Sequence, residues 1–304
     1  PAEAPAVRIP PPVGLAAGVL AVSTASVLIK LCTAPALAIA GWRLTLAALA
    51  LVLWAAASRR WPWSGVPARE RPRAVAAGLL LGLHFATWIS SLDYTSVASS
   101  VVLVTTNPLF VGLGAWLFLR EKSGPGLWLG MALSMGGGAL VALADRHQGG
   151  GSDPLRGDAL ALAGALCGSG YLLLGRRVQA QAGTLGYVTL VYSVAALLLL
   201  GLALAAGTPV AGYSPRDWLL LALLAALPQG VGHTLINWSL RFFPAGVVAV
   251  AILGEPLGAI LLAWLVLGEG VAPLQALGAL LILGGVALAA RSAPGAPAGG
   301  ELPP

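Results

Sequence analysis

Apolar runs of about 20 residues, repeated along the whole chain, limit what this sequence can fold into more than any single motif does. Ten can be cut, at residues 14–31, 36–57, 74–91, 97–119, 126–144, 158–175, 184–206, 218–240, 246–267 and 273–290. Each is long enough to cross the roughly 30 Å hydrocarbon core as a helix, whose backbone polar groups satisfy one another without water. Only 9% of residues are charged and 58% are hydrophobic, against about 25% charged in soluble domains. The chain reads as an all-α integral membrane protein with ten transmembrane helices.

The runs fall into two sets of five. Residues 253–270 (LGEPLGAILLAWLVLGEG) repeat residues 105–122 (TTNPLFVGLGAWLFLREK) at an offset of 148 positions. Pro108/Pro256, Trp116/Trp264 and Glu121/Glu269 keep register, which low-complexity Leu and Ala would not do by chance, so the sequence implies a duplication. An odd number of spans per copy makes the second copy start on the opposite side of the membrane, giving two inverted five-helix repeats. The predicted organisation is an N-terminal tail (1–13), a first repeat (14–144), a polar linker (145–157), a second repeat (158–290) and a C-terminal tail (291–304). Residues 1–13 are proline-rich with one basic residue, Arg8, and do not resemble a cleaved leader. The last segment is rich in Pro, Gly and Ala and reads as disordered.

The net charge of +6 is a matter of orientation rather than of nucleic-acid binding, because Lys and Arg cluster in alternate short loops. Arg8, Arg59, Arg60, Arg69, Arg71, Arg73, Arg120, Lys122, Arg176, Arg177, Arg241 and Arg291 fall on one side, and Arg146, Arg156 and Arg216 on the other. Both termini are expected in the cytoplasm, with the protein in a plasma membrane of the bacterial inner-membrane kind. Cys32 and Cys167 lack metal-ligand spacing and read as two buried thiols. No cofactor or metal is expected, and no P-loop appears.

Trp42-Arg43-Leu44 in the second span, Asn107-Pro108-Leu109 through Leu119-Arg120-Glu121 in the fourth and Glu255-Pro256-Leu257 through Leu267-Gly268-Glu269 in the ninth resemble the drug/metabolite transporter superfamily, specifically its ten-helix branch with two EamA domains. Gly278 to Gly285 in the tenth span is similar as well, whereas Val22-Ser23-Thr24 departs from the Trp-Gly common in the first span of relatives. The resemblance implies a secondary transporter, an exporter, of small organic metabolites such as amino acids or drugs. It would work by alternating access and be passive or proton-coupled.

Polar residues inside spans are costly and mark cavities by default. Gln229, His233 and Asn237 recur every four residues on one helical stripe. His84, Trp88 and Ser91 form a second stripe in the repeat-related span, with His84 one position from the counterpart of His233. Glu255 and its counterpart Asn107 precede the two repeated prolines. Pro256 removes a helical hydrogen bond and predicts a kink, so Pro108 and Pro256 are candidate hinges. Tyr171, Ser169 and Tyr192 are further candidates in the sixth and seventh spans. Arg43 lies about 10 Å below the outer end of its span by helical rise; snorkelling to the exterior and a grip on a substrate carboxylate are its two readings, the first favoured by its long stem. Ser23, Ser26 and Lys30 share a face of the first span. The expected substrate-binding set is thus Arg43, His84, Trp88, Ser91, Asn107, Tyr171, Gln229, His233, Asn237 and Glu255, with Glu255, His233 and His84 as proton-coupling candidates. Glu121 and Glu269 read as helix-end structure, and Gly136-Gly137-Gly138 and Gly284-Gly285 as close-packing surfaces.

Two other classes compete. An intramembrane hydrolase would use Ser169, in Cys167-Gly168-Ser169-Gly170, with His233 or His84 as base, although the G-x-S-x-G elbow is absent. A channel would need a repeated charged or carbonyl-rich filter, which the spans lack. Partners are expected to be a small-molecule substrate, membrane lipid and protons, with no nucleic acid and an open oligomeric state.

Overall fold

The computed structural model describes residues 9–91, 93–94, 103–104, 106–119, 124–145, 152–262, 265–266 and 273–291. Among these every regular element is helical: α1 (Pro11–Leu31), α2 (Ala36–Ala57), α3 (Arg71–Ser91), α4 (Asn107–Gly114), α5 (Pro125–Asp145), α6 (Pro154–Gln179), α7 (Thr184–Ala205), α8 (Pro215–Leu224), α9 (Thr234–Ser239), α10 (Ala245–Ile252), α11 (Glu255–Leu262) and α12 (Pro273–Arg291). A 3-10 turn, Ala68–Glu70, leads into α3. A π-helical segment, Ala225–His233, joins α8 to α9. Six described helical stretches are long and apolar enough to cross a membrane: Pro11–Ile29, Ala36–Ala57, Ala68–Ser91, Leu155–Gln179, Thr184–Ala205 and Pro215–Ser239. Shorter apolar helices cover Asn107–Phe118 and Ala276–Ala289. Glu121, Glu269, Arg8, Arg120, Lys122, Arg146 and most of both tails lie outside the described residues, as do the side chains of Ser26, Lys30 and Pro256.

The helices begin where local chemistry lets them. Asp153 accepts the amide of Arg156 and Ser214 that of Asp217, so each caps a helix that opens on a proline. α2 ends as Arg59 takes a left-handed conformation (φ 53°) and the Arg60 amide reaches back to the Ala55 carbonyl at 2.9 Å.

Packing is inverted relative to a soluble bundle. Large side chains such as Leu20, Leu53, Leu197 and Leu204 point outward, while Ala38, Ala40, Ala74, Ala77, Ala161 and Ala195 are buried. Lipid solvates leucine as well as a core would, so helices associate through small residues that allow close approach. α2 packs on α7, α3 on α6, α5 on α12, and α1 on the π segment, α9 and α11.

The 148-residue offset recurs in these contacts. α7 occupies the positions of α2 moved by 148. A Cβ on Gly137 would meet the Gly278 carbonyl at 2.5 Å and Ile282 at 2.9 Å, while one on Gly285 would strike the Gly130 carbonyl and Ser134. Ser134 donates to the Ile282 carbonyl at 3.3 Å, a pair itself 148 apart. Gly136 and Gly284 have open space instead, so Gly137 and Gly285 make the close approach and these two neighbours do not.

Both motif copies break the helix at the same register. Thr106 N–H bonds the Leu103 carbonyl and Leu109 N–H that of Thr106; Gly254 N–H bonds the Ala251 carbonyl and Leu257 N–H that of Gly254. The expected kink at Pro256 is therefore corrected: α10 ends at Ile252, and α11 starts at Glu255 with Pro256 in its first turn. There the missing proline N–H costs nothing, because first-turn amides have no helical acceptor.

The seam between α5 and α12 yields a direct contrast. Gly137→Val should lower the thermal unfolding midpoint in detergent, consistent with an overpacking cost of about 1–3 kcal/mol. Gly136→Ala, on the open side, should shift stability by no more than about 0.5 kcal/mol.

Candidate functional site

The expected site residues converge where α2, α3, α6 and the π segment cross. Arg43, on α2, is 1% exposed. Its Nη2 donates to Gln229 Oε1 at 2.9 Å, and its guanidinium lies over the Phe85 ring, 4.4 Å from the centroid. The snorkelling reading is corrected. The side chain turns inward because Phe85 and Gln229 together supply a π face and an acceptor, which a headgroup-level contact would not need to do.

Phe85 is the hinge of an aromatic cluster. Its ring lies 5.0 Å from that of His84 and 5.5 Å from that of His233, both edge-on. Trp88 stacks on His84 with centroids 6.0 Å apart and planes 18° from parallel. His84 Nδ1 is 2.8 Å from the Gly164 carbonyl. A carbonyl only accepts, so the ring proton sits on Nδ1 and Nε2 is the acceptor of the neutral imidazole. Gly168 makes this approach possible, because a Cβ there would lie 2.8 Å from His84 Nδ1 and 3.0 Å from Asn107 Nδ2.

Gln229 and Asn237 are fully buried, whereas His233 is half-buried. Asn237 Nδ2 donates to the Tyr171 hydroxyl and to the His233 carbonyl at 2.7 Å. Tyr192 OH donates to the Gln229 carbonyl at 3.3 Å and lies 3.3 Å from Thr234 Oγ1. Pro228 sits inside this segment. Its missing N–H fits the π winding, which frees carbonyls from the regular ladder. The α-helical stripe expected for Gln229, His233 and Asn237 is thereby rewound, with its inward orientation kept.

Two broken helices reach the same region. Glu255 opens α11 and is half-buried; its carbonyl accepts from Ser23 Oγ of α1 at 3.0 Å. Asn107 opens α4, its Nδ2 donating to the Ala165 carbonyl at 3.3 Å and its own carbonyl accepting from Ser169 Oγ at 3.2 Å. The positive ends of two helix dipoles thus lie inside the bundle rather than at its surface. Ser91 lies further along α3, its hydroxyl donating to the Trp88 carbonyl at 2.6 Å.

Several polar atoms at the centre are buried with no hydrogen-bond partner among the described residues: Arg43 Nε, Gln229 Nε2, Trp88 Nε1, His233 Nδ1 and Asn237 Oδ1. Burying such an atom unpaired costs about 1–3 kcal/mol, so a solute that supplies partners recovers that cost on binding. Three of the five are obligate donors and one is an imidazole nitrogen, so the site favours oxygen acceptors. Phe85 carries no signal in the sequence, where a Phe beside a His has no pattern of its own, and Gly168 stands there only within Cys167-Gly168-Ser169-Gly170, with nothing to mark its contact with His84. No group of three metal-ligating side chains occurs among the described residues, and both cysteines are free thiols.

A multi-span apolar helical bundle with a polar, arginine-centred interior is the architecture of a polytopic membrane protein. The EamA-like transporter family matches residues 13–143 and again 155–291. The chain belongs to that family, and so to the drug/metabolite transporter superfamily. It is 26% identical over 248 residues to the uncharacterized transporter YdfC of Bacillus subtilis (strain 168), covering 81% of this chain and 78% of the relative. Against the uncharacterized transporter sll1319 of Synechocystis sp. it is 23% identical over 218 residues, 71% of this chain and 65% of the relative's length. Over 87 residues it is 33% identical to a riboflavin transporter of Rhizobium johnstonii, covering 29% of this chain and 26% of that protein. One solved crystal structure superposes with a TM-score of 0.77 at 20% identity, covering 91% of this chain and 95% of that one, which establishes a shared fold.

The family is one of transporters and not of enzymes, and Ser169 agrees with that. Its hydroxyl donates to the Ala165 carbonyl at 2.6 Å and to the Asn107 carbonyl at 3.2 Å, so both bonds go to backbone carbonyls rather than to a base. Ser169→Ala should leave transport within about twofold of wild type while lowering stability by about 1 kcal/mol, measured by uptake into proteoliposomes and by thermal unfolding.

Proposed function

We propose that this chain is a secondary carrier of small organic solutes, with ten membrane-spanning helices arranged as two inverted five-helix repeats that rock about a central site. The observation that carries this reading is Arg43: a guanidinium at the crossing of α2, α3 and the π segment, 1% exposed, held by Phe85 and Gln229. A permanent charge held there without an ion pair within bonding distance among the described residues is costly unless a ligand offsets it. The repeat arrangement is supported by the common helix break after residues 106 and 254, by the α2 and α7 boundaries, and by the glycine seam of α5 and α12.

In this reading Arg43, Gln229 and Trp88 receive a carboxylate or other oxygen-rich group of the solute. Glu255 receives a cationic group or a proton, and His84 and His233 line the path. Asn237 and Tyr171 fix the π segment, Asn107 fixes α4, and Ser91 closes the outer end of the wall. Pro108 and Pro256, each in the first turn after a helix break, are the bending points. Amino acids, other metabolites, drugs and, from the partial likeness to a riboflavin transporter, riboflavin form the panel to test.

The distribution of Lys and Arg between the loops supports cytoplasmic termini, and a bacterial inner membrane and export as the working direction follow the family resemblance. Repeats at 14–144 and 158–290 flank a linker at 145–157. Coupling is to protons or absent, since asymmetry between Glu255 and Asn107 gives one half alone an ionisable group at the break.

A thermal-shift screen of that panel on the purified protein tests the site directly, since a ligand at 100 times its Kd stabilises by about 2.7 kcal/mol. A solute that raises the wild-type midpoint should no longer do so with Arg43→Leu; an unchanged shift would refute the assignment. Glu255→Gln should abolish transport driven by a pH gradient while leaving solute exchange. Persistence of both in proteoliposomes would remove the coupling role.

A further inference from the structure

We propose that the two mouths of the bundle are held by a symmetry-related pair of side-chain latches, Asp217 with Thr33 at one end and Arg69 with Gln181 at the other, and that their unequal strength sets which mouth opens more readily. The proposal rests on the alternating-access reading above.

The pairing follows from register. Thr33 moved by 148 positions is Gln181, and Asp217 moved back by 148 is Arg69, so each latch is the image of the other under the offset that relates the two halves. Both join the same structural places. In one, the turn after α1 meets the start of α8; in the other, the turn after α6 meets the approach to α3. The chemistry has diverged while the position is kept, from an acid bridging a threonine to an arginine bridging a glutamine.

The latches lie at opposite ends. The Asp217 end includes Trp42 Nε1 donating to the Val210 carbonyl at 2.8 Å and the Trp42–Trp218 ring pair at 4.8 Å. The Arg69 end includes Gly183 N–H bonding the Gly65 carbonyl at 2.9 Å and Arg176 Nη1 bonding the Leu240 carbonyl at 2.6 Å.

They are also unequal. The Asp217 carboxylate, on a residue 4% exposed, accepts from the Thr33 backbone N–H at 2.8 Å, the Thr33 hydroxyl at 2.9 Å and the Ser214 hydroxyl at 2.7 Å. Both of its oxygens are engaged, and two bonds cross between elements to one carboxylate, a charge-assisted pair. At the other end the latch itself is a single side-chain hydrogen bond, from Arg69 Nη2 to Gln181 Oε1, beside the backbone bond of Gly183 to Gly65, and the Arg69 side chain is 76% exposed. Glu70 draws on the same arginine at 4.0 Å but binds Arg73 more closely, at 2.7 Å. An exposed arginine bridge is screened and entropically costly to hold. The Asp217 mouth is therefore the tighter one, and the Arg69 mouth opens first.

The test is a double electron–electron resonance measurement on the full chain in proteoliposomes, in a Cys32→Ser, Cys167→Ser background. One spin-label pair replaces residues 35 and 216, and a second replaces residues 68 and 185; all four positions are exposed. Wild type should give two distance populations at each pair. Asp217→Asn should raise the open population of the 35/216 pair about tenfold and lower that of the 68/185 pair; Thr33→Val should do the same to a smaller degree. Gln181→Ala should act in the reverse sense, and the double variant Asp217→Asn, Gln181→Ala should return both pairs toward wild type, which a merely destabilised protein would not do. Two wild-type populations that no latch variant shifts would overturn the latches and leave alternating access standing. A single population at both pairs in every variant would overturn alternating access and the latches together.

Discussion

The structure depends on how a guanidinium is kept inside a lipid-facing bundle. Arg43 is held by one hydrogen bond to Gln229 and by the face of Phe85, and these three residues come from three different helical segments. A charge so placed cannot be solvated by bulk water, and its Nε has no hydrogen-bond partner among the described residues. The surrounding fold accommodates that demand. The π segment unwinds a carbonyl ladder beside it, α4 and α11 turn their N-termini inward, and glycines at 164 and 168 let α6 close on His84, Trp88 and Asn107.

Two kinds of packing divide the work. At α5 and α12 the backbones nearly touch through Gly130, Gly137 and Gly285, a rigid contact suited to an axis about which halves could pivot. Around Arg43 the contacts are long side chains and ring edges, which can repack at lower cost. The broken helices join the two regimes, because a helix interrupted at one peptide unit can bend there without losing a complete turn of hydrogen bonds.

Much of the fold is legible in the sequence, because an apolar run and its flanking prolines fix a helix almost alone. The run at 36–57 coincides with α2, and that at 184–206 overshoots α7 by one residue. Elsewhere the helices outrun the apolar stretch: α3 begins at Arg71 rather than 74, and α6 extends to Gln179 through Arg176 and Arg177. Arginines at helix ends lie along the helix while their heads leave the hydrocarbon, so hydropathy ends too early. In the site, the histidine and glutamine positions are readable from their spacing. The inward turn of Arg43 is not, since stem length serves either direction and only a partner on another helix decides between them. The break before Glu255 reads from the sequence as a kink within one helix for a related reason: a proline marks disruption but is equally at home in the first turn of a new helix.

The central claim is a cavity around Arg43 that opens to each side of the membrane in turn. A single cysteine at His233, in the background lacking Cys32 and Cys167, can be probed with a membrane-impermeant maleimide applied from either side of oriented vesicles. The account predicts labelling from both sides, at rates that change in opposite directions when the protein is biased toward one mouth, and protection from both sides by a bound solute. Labelling from one side only under every condition, or labelling unaffected by any solute that stabilises the protein, would contradict it.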